Sequence, residues 1–468
     1  MRRWSQWGWA TLLLSVCALG CGEEEQETTE QSFRTRQPFA EPEELVSSDG
    51  VLEVTLKSAP AELVVSGRPV HGEAYNKTFV GPTLRLEPGD EIQLSLENGL
   101  EQHTNVHFHG FHVSPSGNSD NVLRHIAPGE TGDYLVQVPE NHDQGVFWYH
   151  SHQHHDSESQ VFQGLSGTIV IGDTRRLLPE RFADVRRRVL ALKDLQVEKG
   201  AIVAADIDSD APTTRTVNGL VDPTLEVRPG STELWDIANI SADIFYDVEL
   251  ESMTLLVVGE DGNPVESTWA DSHLVLPPGK RFEVLVSFEG AGELAFKTRE
   301  YDQGGDHYPE VDLMHVSVAG DDVTPITALG EGQSLQMAGD LLERPIAQKR
   351  TWVFSEDDAT SNFTINDKEF DPDRVDVSPK LGTVEEWTLE NKTSEQHPFH
   401  IHINDYKVMT VDGETYDARG EQDTVILPPQ KPVVVRIPFD DYTGKFVFHC
   451  HILNHEDNGM MGLVDVVE

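Results

Sequence analysis

The chain has 468 residues, 81 acidic against 35 basic side chains, and a formal charge of −46 at neutral pH. That balance excludes a nucleic-acid partner, because phosphate contacts need Lys and Arg. The length calls for two to four domains.

The N-terminus reads as an export leader. Arg2 and Arg3 precede a short apolar run from Trp9 to Leu19 that ends in Ala18-Leu19-Gly20-Cys21. The run is too short to span a bilayer and closes on small residues, as a cleaved signal does. Cys21 directly after Gly20 resembles a bacterial lipobox, so 1–20 is expected to be a lipoprotein-type signal with Cys21 as the lipidated first residue. Twin-arginine export fits the following residues poorly. Residues 21–46 are rich in Glu, Gln and Thr and read as an acidic flexible tether. No later apolar run is long enough for a transmembrane helix. The expected location is the periplasm or cell surface of a bacterium, with membrane contact only through Cys21.

The body repeats one pattern three times. Gly81-Pro82-Thr83-Leu84-Arg85-Leu86-Glu87-Pro88-Gly89 leads to Leu96-Glu97-Asn98. Asp222-Pro223-Thr224-Leu225-Glu226-Val227-Arg228-Pro229-Gly230 leads to Ile237-Ala238-Asn239. A weaker copy, Asp371-Pro372 to Val377, leads to Trp387-Thr388-Leu389-Glu390-Asn391. A second block follows in each copy: Ala127-Pro128-Gly129-Glu130, Pro277-Pro278-Gly279-Lys280 and Pro428-Pro429-Gln430-Lys431, each before a β-branched or alternating run. Turns feeding short strands, with little helical periodicity, predict an all-β chain of three Greek-key β-sandwiches at 47–175, 176–328 and 329–468.

Histidines fall at matched places in the first and third copies. His107-Phe108-His109 corresponds to His400-Ile401-His402, and His150-Ser151-His152 to His449-Cys450-His451. The middle copy has Ile244-Phe245-Tyr246-Asp247 and Leu294-Ala295-Phe296-Lys297 there, without histidine. A His-x-His on a strand puts both imidazoles on one face. Four such pairs imply eight imidazoles at an interface of the first and third domains. His103, His112, His125, His142, His154 and His155 are expected on the surface or behind the ligands.

The C-terminal stretch Phe448-His449-Cys450-His451-Ile452-Leu453-Asn454-His455 to Met460 is the richest in donors. If Cys450 points one way from its strand, His449 and His451 point the other. Cys450, His455 and Met460 supply thiolate, imidazole and thioether, three of the four ligands of a blue-copper site. Of the three cysteines, Cys17 and Cys21 lie in the leader region, so Cys450 is alone in the body.

These segments together, His107-Phe-His109-Gly, Trp148-Tyr-His150-Ser-His152, His397-Pro-Phe-His400-Ile-His402 and His449-Cys450-His451 through Met460, resemble those of the three-domain multicopper oxidases, which include laccases and cuprous oxidases. The resemblance covers the body after the tether. It implies cupredoxin-like domains and four coppers: type 1 held by His397, Cys450, His455 and Met460, type 2 by His107 and His400, and a type 3 pair by His109, His150, His152, His402, His449 and His451. Met461 is the alternative axial ligand. It implies acidic proton donors at Glu456, next to His455, and at Asp120; Asp120 needs a short insertion, which leaves Asn118 open. The implied activity couples four one-electron oxidations to reduction of dioxygen to two waters, in a monomer, with Cys450 carrying the electrons inward. A phenolic or aromatic donor, as for a laccase, is the default. Oxidation of Cu(I), Fe(II) or Mn(II) is the alternative, although only seven Met and no Met-rich insert argue against a cuprous oxidase. A copper nitrite reductase or a non-enzymatic cupredoxin-like protein fits poorly, since the first lacks this threefold repeat and the second would have lost ligands.

Overall fold

The computed structural model describes residues 36–468 except 206, 337–338, 358–361 and 417–418. The leader 1–20, Cys21 and the tether to residue 35 lie outside the described residues. The body is three consecutive cupredoxin-like sandwiches. In the first, a five-stranded sheet runs Glu44–Val46, Gly81–Leu86, Ser166–Ile171, Gly145–His150, His107–His109. It packs on a six-stranded sheet centred on Val51–Val65 and Glu91–Asn98. Leu52, Leu94 and Val136 of one sheet and Leu84, Phe147 and Ile169 of the other share one buried core.

The repeat seen in the sequence is a repeat in topology. Val51–Val65 lies parallel to Glu91–Asn98, Arg186–Leu195 to Thr232–Asn239, and Ile346–Asp357 to Thr383–Asn391. Each second strand then pairs antiparallel with the strand after the second turn block: Thr131–Gln137, Arg281–Ser287 and Val433–Phe439. Parallel neighbours require a crossover connection, which produces the Greek key.

The asparagine that closes each copy of the pattern has one job. Asn98 Nδ2 donates to Gln102 O at 2.9 Å and Ile126 O at 2.8 Å. Asn239 Nδ2 donates to Ile244 O and Leu276 O, and Asn391 Nδ2 to Glu395 O and Leu427 O. In each case Oδ1 accepts a backbone N–H two residues on. These bonds tie one carbonyl of the following loop to one at the end of a neighbouring strand or bridge, and satisfy both. In the first and third copies the clamped loop delivers the chain to His107 and His397.

Two segments differ from the expected layout. Residues 36–46, read as the end of the tether, lie on the body: Glu44–Val46 pairs parallel with Thr83–Arg85, and Phe39 N donates to Thr224 O at 2.8 Å. The hairpin Val197–Glu198/Ala201–Ile202, beyond the expected end of the first domain, joins the first sandwich's six-stranded sheet through Ala201 and His71. No helix among the described residues is long and apolar enough to cross a membrane.

Candidate metal centres

The chemistry is concentrated on two antiparallel strand pairs. His107–His109 pairs with Gly145–His150, placing His107 opposite His150. His397–Ile401 pairs with Gly444–Cys450, placing His400 opposite His449 and Phe399 opposite Cys450. Alternation then sends Cys450 and His397 to one face and His400 and His449 to the other.

On the first face, Cys450 Sγ lies 3.4 Å from His397 Nδ1 and 3.7 Å from His455 Nδ1, and the two Nδ1 atoms are 3.2 Å apart. One thiol and two imidazole nitrogens therefore converge on one point, His455 from close by in the chain and His397 from a distant strand. His455 comes from the short helix Leu453–Asp457 that follows the strand. Met460 is fully buried in the core that contains Cys450, and its backbone N–H donates to His455 O. Met461 packs instead with Val122, Val447 and Leu463. Burial pushes the Cys450 thiol well above its usual range and holds His397 and His455 below theirs. His455 is the one member of the site with measurable exposure, 8%. Phe363 stacks on it at 4.0 Å between ring centroids, and Glu395 Oε1 stands 3.5 Å from its Nε2.

On the other face the eight imidazoles meet, none more than 3% exposed. His449 Nε2 is 3.3 Å from His152 Nε2 and 3.2 Å from His402 Nε2, and His451 Nε2 is 3.1 Å from His109 Nδ1. His107 stacks on His402 and His109 on His400, both at 3.8 Å. Burial first, then mutual proximity, holds these rings below the usual histidine range, so they are neutral. His150 Nδ1 donates to Ser151 O, His400 Nδ1 to Asp423 O and His449 Nδ1 to Cys450 O. That fixes each tautomer and leaves a lone pair on Nε2. The Nε2 atoms of His107, His150 and His400 have no protein partner. Buried lone pairs facing one another, with no donor between them, are what a cluster of soft-to-borderline cations satisfies. Imidazole and thiolate donors in these numbers fit copper.

Asp120, not the exposed Asn118, reaches this cluster: both its oxygens are 3.0 Å from His107 Nδ1, and Oδ1 accepts from Phe108 N. Burial raises its carboxyl to about 8. Glu456 is buried between His152 Nδ1, at 3.5 Å, and His449 Nδ1, at 3.2 Å. Its Oε1 accepts from Ser157 Oγ at 3.0 Å, and burial raises its carboxyl well above the usual range. His112 is engaged by Ile403 O and Asp441, and His155 by Asp457 O. None of His103, His112, His125, His142, His154 or His155 joins a ligand group among the described residues.

Behind the helix that carries His455, Asn454 Nδ2 donates to Glu158 Oε2 at 3.1 Å. Burial lifts Glu158 to about 7, with Asp457 adding to the effect. The folded chain therefore binds this proton more tightly than the unfolded one, and stability falls as pH rises from the ordinary carboxylate range through 7. Glu158→Gln is expected to raise stability at pH 8 by about 1–3 kcal/mol and to change little at pH 4.5. Melting of the copper-free variant at both pH values checks this; an equal gain at both would refute it.

Sequence reading did not find Asp423, Arg281, Gly279 or Glu395. Asp423 and Arg281 flank the repeated turn blocks, but neither carries a metal-ligand signature. Only their place against His109 and His400 marks them.

Three sandwiches, with a thiolate–imidazole site in the last and an eight-imidazole cluster between the first and last, define a copper-dependent oxidoreductase. Family models described as multicopper oxidase match residues 61–176, 193–303 and 343–468. The chain belongs to the multicopper oxidase family, whose members bind copper at type 1, type 2 and type 3 sites. It is 29% identical over 410 residues to a multicopper oxidase of Staphylococcus haemolyticus, covering 84% of this chain and 83% of that one. It is 24% identical over 491 residues to a laccase of Bacillus subtilis, covering 89% and 94%. Among solved structures it is similar to a laccase-like multicopper oxidase of Ochrobactrum sp., at 28% identity and a TM-score of 0.79, covering 92% and 100%.

Proposed function

We propose that the protein oxidises a small phenolic or aromatic donor in one-electron steps and uses four electrons and four protons to reduce dioxygen to two waters. In this reading His397, Cys450, His455 and Met460 hold type 1 copper. His107 and His400 hold type 2; His109, His150, His152, His402, His449 and His451 hold the type 3 pair. Copper supplies the one-electron couple at both places, so that four electrons can be gathered before dioxygen is released as water. The domain limits proposed are 47–175, 176–328 and 329–468, with the linking details noted above.

The observation that carries the reading is the tripeptide His449-Cys450-His451. Its thiol lies in one donor set and its two imidazoles in the other, so a single covalent segment joins the place of oxidation to the place of reduction. His455, the one partly exposed member of the site, offers its edge to the donor, and Phe363 stacks on its ring. Glu456 stands where protons are consumed, between two imidazoles of the cluster. The laccase relative supports an organic donor.

One feature favours a metal-ion donor instead. Glu395 puts a carboxylate 3.5 Å from His455 Nε2, where a cation would dock. Oxygen uptake with a phenol, Fe(II), Mn(II) and Cu(I), measured side by side, separates the two. A marked preference for one metal ion over every organic donor would overturn the laccase-like reading. We also propose export with lipidation at Cys21; mass spectrometry of the mature N-terminus tests it, and an unmodified Cys21 would refute it.

A further inference from the structure

The middle sandwich contributes no imidazole to the cluster, yet its second turn touches it. Gly279 has φ +86, and a Cβ there would stand 3.0 Å from His109 Cε1 and 3.1 Å from His451 Cδ2. Only glycine lets the backbone come so near two rings at that φ. Two residues on, Arg281 is fully buried and spans all three sandwiches. Its Nη1 donates to Asp423 Oδ1 at 2.8 Å and to Gly279 O at 3.0 Å, and its Nε donates to Val146 O at 3.3 Å.

Each of those partners leads to the cluster. Val146 lies on the strand that ends at His150. Asp423 Oδ1 is 3.3 Å from His109 Nε2, and Asp423 O accepts from His400 Nδ1 at 2.8 Å. Asp261, also from the middle sandwich, accepts the backbone N–H groups of Arg281, Asp423 and Thr424. Gly110, next to His109, leaves room for the guanidinium: a Cβ there would be 2.5 Å from Arg281 Nη2. A buried Arg–Asp pair adds little net stability over an apolar replacement. Its hydrogen bonds here instead fix the non-facing side of two imidazoles, which sets ring orientation.

We propose that Arg281, with Gly279 against His109 and His451, is a positioning residue for the three-copper cluster, so that the ligand-free middle sandwich sets the orientation of His109 and His400. The proposal rests on the assignment of those imidazoles as copper ligands.

The test compares Arg281→Met and Arg281→Lys with wild type and with Arg188→Met. Arg188 is a guanidinium of the same sandwich that pairs with Glu233 at 2.6 Å, away from the imidazoles. Copper per chain, chelator competition, the blue absorption band, the type 2 electron paramagnetic resonance signal and melting of the copper-free chain are read for each. Arg281→Met is expected to weaken cluster copper about 10- to 100-fold and to alter the type 2 signal. The blue band should persist. Arg281→Lys, able to hold Asp423 but not Val146 as well, should fall between Met and wild type. Arg188→Met should change melting alone. Wild-type copper affinity and an unchanged type 2 signal in Arg281→Met would overturn the proposal. If that variant does not fold, the same two readings on Arg281→Lys decide it. A wild-type chain that takes up no copper would sink the ligand assignment itself, a different failure.

Discussion

Replacing Cys450 by serine is expected to abolish the blue absorption band and to lower dioxygen consumption at least about 10³-fold with every donor, as loss of one member of a catalytic unit does. Cys450 Sγ lies within 3.7 Å of the His397 and His455 nitrogens on that face, and it is fully buried. Serine offers a shorter, harder oxygen that does not suit the soft site. Burial holds the free thiol protonated well above its usual range, so it gives up that proton only when metal arrives. The variant should therefore bind one copper fewer per chain. The other face should be unaffected: His449 and His451 are held through His449 Nδ1 to Cys450 O and His451 N to Pro398 O, bonds made by backbone atoms that serine keeps. The type 2 resonance signal should thus remain. A variant that consumed dioxygen at the wild-type rate would show that electrons do not pass through this residue.

The parts legible in the sequence are those whose chemistry is local. His-x-His on a strand fixes its own face, and Cys450 between two histidines fixes two faces at once; the sheet registers of His400 with His449 and His107 with His150 follow. The asparagines 98, 239 and 391 recur visibly, although their use as loop clamps appears only with the carbonyls they reach. Asp120 was ambiguous because its place depends on the turn before it, where Asp120 N donates to Ser114 O and swings the carboxylate back onto His107. Arg281 and Asp423 were invisible for another reason. They act through contacts between copies of the repeat, and within their own segments they look like ordinary charged residues beside a turn. The strand Glu44–Val46 was hidden by composition: an acidic, polar approach reads as solvated, yet its backbone pairs with Thr83–Arg85 and Glu44 meets Arg85 at 2.6 Å.

Glu456→Gln separates proton delivery from electron delivery. Glutamine keeps the size of the side chain and can still accept from Ser157 Oγ, but it carries no transferable proton. Burial raises the Glu456 carboxyl well above the usual range, with neighbouring Asp457 acting in the same sense, so the protonated form is favoured. Its Oε2 has no hydrogen-bond partner and lies 3.2 Å from His449 Nδ1, so it faces the cluster rather than the solvent. The variant is expected to keep its full copper and its blue band and to bleach at the wild-type rate when a donor is added without oxygen. Turnover in oxygen should fall by about 10²- to 10⁴-fold, the usual contribution of a positioned proton donor. The return of the blue colour on mixing the reduced variant with oxygen is the direct reading, and it should slow by the same factor. A wild-type return would move the role to Asp120, a further carboxyl in contact with the cluster that burial raises, and Asp120→Asn would then show the slow phase alone. If each variant slows the return in part and the double variant slows it further, protons arrive from both sides of the cluster: from Glu456 beside His152 and His449, and from Asp120 beside His107.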